Sequence, residues 1–155
     1  MASFIPEPSR VQEPRISPAK VLCLLPAWTT LPGRDARWIH GLLKELGSRL
    51  GVVTACEPAS LAGPRGVRPA RRAARDFAEQ VGETISEGSV RILLAVGEAA
   101  NAANLELAAE RNPGALRVIL ALTSTRAKRA ARHLADLALR REDDVVGELA
   151  MRCAE

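Results

Sequence analysis

Four short stretches hold most of the residues that could do chemistry. Residues 26–35, Pro-Ala-Trp-Thr-Thr-Leu-Pro-Gly-Arg-Asp, combine an indole, two hydroxyls, a glycine and a charged pair. Arg34 can grip a phosphate or carboxylate in a fork and Trp28 can pack on a ring, with Thr29 and Gly33 as further contacts. The bland alternative is an ordinary connecting loop in which Asp35 only begins a helix. Residues 97–104, Gly-Glu-Ala-Ala-Asn-Ala-Ala-Asn, have one glycine where a dinucleotide or methyl-donor loop needs two or three for close backbone approach. Their candidate ligand contacts are Gly97, Glu98 and Asn101. The third stretch is the Pro- and Gly-rich segment 57–67, and the fourth is 123–126, where Ser124 is the candidate.

Other chemistries find less support. His40 and His133 fall inside helical patterns, with no Cys, Asp or Glu at metal-ligand spacing, so no metal and no cofactor is expected. No Gly-x-Ser-x-Gly turn is present to serve a serine nucleophile. Arg65, Arg68, Arg71, Arg72 and Arg75 share a helix face, as do Arg126, Lys128, Arg129 and Arg132. With a formal charge of +4 these faces permit a basic nucleic-acid-binding reading. Against it, Asp76, Glu79 and Glu83 follow the first cluster, and 3% aromatics with no tyrosine leave little on which bases would stack.

These stretches must be positioned by something, and the rest of the chain supplies it. At 155 residues, 47% hydrophobic and 26% charged, the sequence suits one folded domain. Only Lys20, Lys44 and Lys128 of its 22 basic residues are lysines, which with the abundant alanine is the mark of a GC-rich genome. Residues 1–18 carry Pro6, Pro8, Pro14 and Pro18 and read as a proline-rich flexible arm, leaving 19–155 as a single α/β domain.

Within that domain, near-continuous apolar runs at 21–25, 52–56, 90–96 and 116–122 read as strands buried on both faces. Between them, 35–50 places Trp38, Ile39, Leu42, Leu43, Leu46 and Leu50 at helical spacing. A second helix is expected over 69–86, with Ala73, Phe77, Val81 and Ile85 inward, and a third through 101–111. A long helix from Ser124 or Thr125 to about Arg141, then a short amphipathic turn at 145–151, complete the chain. Strands alternating with helices predict right-handed β-α-β units and a flavodoxin-like (Rossmann-like) three-layer sandwich, with a four-stranded parallel sheet of order 2-1-3-4. In such a sheet, ligands bind beyond the carboxyl ends of the strands where the order reverses, between the first and third. All four stretches above fall on that edge.

With the strands placed, residues 20–125 resemble the nucleoside 2-deoxyribosyltransferase-like group, a compact flavodoxin-like fold related to TIR-type NAD-cleaving domains. The likeness rests on Val21-Leu22-Cys23-Leu24-Leu25-Pro26 and on Asn104-Leu105-Glu106-Leu107-Ala108-Ala109 followed by Asn112-Pro113-Gly114. It implies that Glu106 is the catalytic nucleophile toward an anomeric carbon, since a carboxylate can trap an oxocarbenium-like centre. Ala100 and Ala108 depart from that pattern, at positions where the group has a small residue or aspartate and a glycine. The alternative for Glu106 is a solvent-facing residue on an alanine-rich helix, paired with Arg111 or left free. Residues 32–37 are also similar to the N-terminal half of GT-B glycosyltransferases, and residues 92–98 to the first motif of class I methyltransferases, although no acidic residue ends the fourth strand.

The leading expectation is therefore a domain that binds a small-molecule nucleotide, nucleoside or sugar phosphate and cleaves an N-glycosidic bond. Its rival is a non-catalytic subunit of a larger complex that docks a protein partner through the N-terminal arm, or pairs with a second copy. Cys23, Cys56 and Cys153 show no metal spacing and read as free thiols. With no apolar segment of membrane-spanning length and no leader pattern, a cytoplasmic protein with no membrane partner is expected.

Overall fold

The computed structural model describes residues 19–57, 90–122 and 125–154, together with positions 75, 77, 79 and 81 of one helical segment. The arm at 1–18, residues 58–67 with Arg65, most of the second helix with Arg68, Arg71 and Arg72, Thr123, Ser124 and the side chain of Arg126 lie outside the described residues, whereas Arg75 is described and exposed.

Five parallel strands form one sheet: β1 (Val21–Leu25), β2 (Val52–Cys56), β3 (Ile92–Val96), β4 (Leu116–Ala121) and β5 (Leu137–Arg140), in the order β2-β1-β3-β4-β5. This is an α/β, Rossmann-like architecture with the flavodoxin-like order. The central strands β1 and β3 are buried along their whole length, which explains their unbroken apolar sequences, because helices cover both sides.

Alternate residues feed two separate cores. Cys23, Leu25, Leu94, Val96, Leu120 and Leu139 face helices α1 (Gly33–Arg49) and α4 (Val145–Ala154), meeting Ile39, Leu42, Leu46 and Leu149. Leu22, Leu24, Leu93, Ala95 and Ile119 face the opposite layer. That layer comprises the 75–81 segment, with Phe77 and Val81 buried as expected, and helices α2 (Ala102–Arg111) and α3 (Thr125–Leu134). Each fully buried leucine or isoleucine contributes about 1.5–3 kcal/mol relative to exposure.

Two expectations need correction. The sheet has five strands rather than four, and the last long helix stops at Leu134 instead of continuing to Arg141. Residues 137–140 are Leu, Ala, Leu and Arg, all good helix formers, so propensity favours the wrong state. Two aspartates decide otherwise. Asp136 exchanges a pair of bonds with Arg117, donating its N–H to the Arg117 carbonyl at 2.8 Å and accepting the Arg117 N–H on Oδ2 at 2.9 Å. Asp143 Oδ2 accepts the Arg140 N–H at 2.7 Å and closes the far end. Between them Leu139 drops into the core while Ala138 and Arg140 remain exposed, the alternation of an edge strand.

Candidate functional site

The carboxyl edge of the sheet at β1 and β3 is organised by one amide. Asn101 caps α2 from an extended conformation, its side-chain oxygen accepting the Asn104 N–H at 2.9 Å, which satisfies one of the unpaired donors at a helix start. The cap turns Asn104 inward, and only 7% of it is exposed. Its Nδ2 donates to the Ala99 carbonyl at 2.9 Å and to Glu57 Oε2 at 3.0 Å. Glu57, half-buried just past β2, donates its own N–H to the Leu25 carbonyl at 2.9 Å. The ends of β1 and β2 and the turn after β3 are thereby joined through one side chain, and the Glu57 carboxylate is held at the point where strand order reverses.

That turn is a short 3-10 helix, Gly97–Ala99. Gly97 has φ +55°, a conformation that disfavours any side chain, whereas an added Cβ would meet Leu122 only at an ordinary 3.5 Å. Backbone geometry, not space, therefore demands the glycine. Cys56, at the end of β2, donates its thiol to the Pro26 carbonyl at 3.3 Å. Burial raises its pKa, a backbone hydrogen bond from Trp28 opposes this, and the nearby Glu57 charge adds to the rise. A thiol kept protonated is a poor nucleophile at neutral pH.

The loop after β1 divides its residues between different tasks. The Trp28 indole stacks on the His40 imidazole, with centroids 4.6 Å apart and planes 4° from parallel, so the ring partner it finds belongs to α1. Thr29, Gly33 and Arg34 are exposed. A Cβ on Gly33 would meet nothing within 4 Å, and the residue opens α1 with no conformational need for glycine. Asp35 parts from Arg34: it is buried and forms an ion pair with Arg141, from the turn after β5. The Arg141 guanidinium also lies 5.4 Å from the Trp38 ring centroid, a cation–π distance.

Glu98 is exposed on the 3-10 turn, and Asn101 serves as the α2 cap. Because α2 begins at Ala102, Glu106 lies in its second turn, exposed to solvent, beyond the first-turn reach of the helix dipole. Sequence reasoning did not single out Glu57, Asn104 or Arg141. A carboxylate directly following the second strand was a legible signal for Glu57. For Asn104 the Asn101-x-x-Asn104 spacing shows the cap but not the inward amide. Among the described residues, no group of three or more His, Cys, Asp or Glu side chains could hold a metal ion, and no helix is long and apolar enough to cross a membrane.

No family model matches the chain, and no curated protein matches it. Among solved structures it is similar to a Francisella novicida lysine decarboxylase, LdcF, at 14% identity and a TM-score of 0.51. The match covers 88% of this chain but only 17% of that one. At this identity the likeness is one of fold.

Proposed function

We propose that the chain binds a nucleotide, nucleoside or sugar phosphate at the carboxyl edge over β1 and β3, with Glu57 accepting hydrogen bonds from the sugar hydroxyls. The observation that carries this reading is the Asn104 amide, which fixes a carboxylate at the reversal of strand order. In dinucleotide-binding α/β sheets an Asp or Glu beyond the second strand accepts a hydrogen bond from the ribose hydroxyl, and Glu57 directly follows β2. Gly97, buried beneath this edge, shapes the turn that presents the start of α2, and the α2 N-terminus favours a negative group nearby. Arg34 and Thr29, exposed on the neighbouring loop, complete the proposed contacts.

Cleavage of an N-glycosidic bond through Glu106, the role drawn from the likeness to nucleoside 2-deoxyribosyltransferases, is the catalytic extension of this reading. The two carboxylates make different predictions. Glu57→Gln abolishes ligand binding, whereas Glu106→Gln preserves binding and abolishes release of the base. A thermal-shift panel of nucleosides, nucleotides and sugar phosphates tests the parent proposal, since a ligand at 100 times its Kd adds about 2.7 kcal/mol. Absence of stabilisation by every member would overturn it.

The rival is a non-catalytic docking subunit, favoured by a single observation: the same fold accounts for 17% of a much longer enzyme chain. A domain of this kind can serve as one part of a larger assembly. An inert ligand panel combined with a stable complex in pull-downs would select this reading.

A further inference from the structure

We propose that the groove at the amino-terminal end of β3 and β4, opposite the edge described above, is a second binding site, for a phosphomonoester with a compact apolar body. The groove has a volume of about 410 Å³, and its lining combines Arg91 and Arg152 with the apolar Val90, Pro113 and Leu116. That volume falls in the range of small-molecule sites, roughly 300–1,000 Å³.

Two arginines from separate parts of the chain line the groove, and Lys20 lies near the end of α4 beside them. Arg91 precedes β3 and donates its N–H to the Lys20 carbonyl at 2.8 Å, and Lys20 itself precedes β1. Arg91 Nη1 donates to the Cys153 carbonyl in the last turn of α4 at 3.0 Å, and Arg152 is the neighbouring residue of that turn. Burial raises the Cys153 thiol pKa while the charges of Lys20 and Arg91 pull against it, so both cations stand beside the end of α4. Among the described residues none of the three is in an ion pair, in contrast to Arg141, which is matched by Asp35.

A guanidinium has five N–H donors, and Arg91 spends one on the helix end. The remaining donors, with those of Arg152, suit the three oxygens of a phosphate better than the two of a carboxylate. The helix C-terminus accounts for one favourable cation through its dipole, but not for two guanidiniums on a groove whose wall also includes Val90, Pro113 and Leu116. That wall requires more of the ligand than charge: an apolar group on the phosphate should add affinity.

Titration of the full chain with phenyl phosphate, inorganic phosphate and benzoate, followed by backbone NMR shifts, tests the assignment. Phenyl phosphate should saturate with a Kd below about 1 mM, bind tighter than either other probe, and move the amides of Gly114 and Ala115. Exposed Arg152 can be reversed without disturbing the core, and Arg152→Glu should weaken phenyl phosphate roughly tenfold or more. Arg91→Lys keeps the charge, loses the fork and should weaken it as well. No saturation at about 10 mM, wild-type affinity in Arg152→Glu, or shifts confined to the carboxyl edge would each overturn the proposal.

Discussion

The Asn104 amide and the Glu57 carboxylate, 47 residues apart in sequence, meet at 3.0 Å over the end of β1. A buried donor serving two acceptors is hard to replace. Asn104→Leu removes both bonds while filling the space, leaving the Ala99 carbonyl without this donor, and should cost about 1–3 kcal/mol. Asn104→Asp should cost more, since it also sets a second carboxylate against Glu57. Urea unfolding of both variants checks the order, and a neutral Asn104→Leu would show that the amide is not a structural tie.

Two candidate glycines should respond in opposite ways. Gly97→Ala forces a side chain into φ +55° and should destabilise by about 1 kcal/mol. Gly33→Ala meets open space at the start of α1 and should be neutral or stabilising by up to about 1 kcal/mol. Thermal midpoints of the pair decide this, and if Gly33→Ala loses ligand binding while staying stable, the loop contact is to the ligand itself.

The Asp35–Arg141 pair ties the start of α1 to the turn after β5. Asp35 is buried but Arg141 is a third exposed, with side-chain exposures of 5% and 34%. Its loss should therefore cost less than a fully buried pair, about 1–3 kcal/mol for Arg141→Met, which keeps packing on Trp38. Removing both charges, as Asp35→Leu with Arg141→Met, should cost less than Arg141→Met alone, because no buried carboxylate is left behind. A double-mutant cycle by chemical denaturation measures the coupling, and additivity would refute it.

Cys23 gives the fold an alkaline limit. Complete burial, aided by neighbouring Cys56, raises its pKa far above that of a free thiol. The folded chain thus holds a proton that the unfolded chain releases above pH ~8.5. This contribution is intact below that pH and is lost as pH climbs toward the folded value, at about 1.4 kcal/mol per pH unit. Stability measured between pH 8 and 10 under reducing conditions should fall with pH, and Cys23→Ala should flatten the slope while lowering stability at neutral pH. An unchanged slope would show that the thiol reaches water.

How much could be read without coordinates depended on how local each cause was. The unbroken apolar runs Val21–Leu25 and Ile92–Val96 announce strands covered on both faces, and the spacing of Ile39, Leu42 and Leu46 announces α1. Both follow from side-chain burial alone, so the α/β class, the first four strands and the order β2-β1-β3-β4 were legible. The carboxyl edge of β1 and β3 followed from that order, because strand direction fixes where the loops must emerge. Residues 137–140 were illegible for the opposite reason. Their intrinsic preference is helical, and only pairing with β4, anchored by Asp136 on Arg117 and ended by Asp143 on Arg140, makes them β5. The side chains at the edge were decided later still. Nothing local separates Arg34 from Asp35, yet one is exposed and the other buried against Arg141. Trp28 and His40 are not paired by any local rule, and Glu57 and Asn104 meet only because β1 lies between β2 and β3. Sequence fixes periodicity and burial through near neighbours, whereas the partner of a polar group depends on which distant segments the sheet sets side by side.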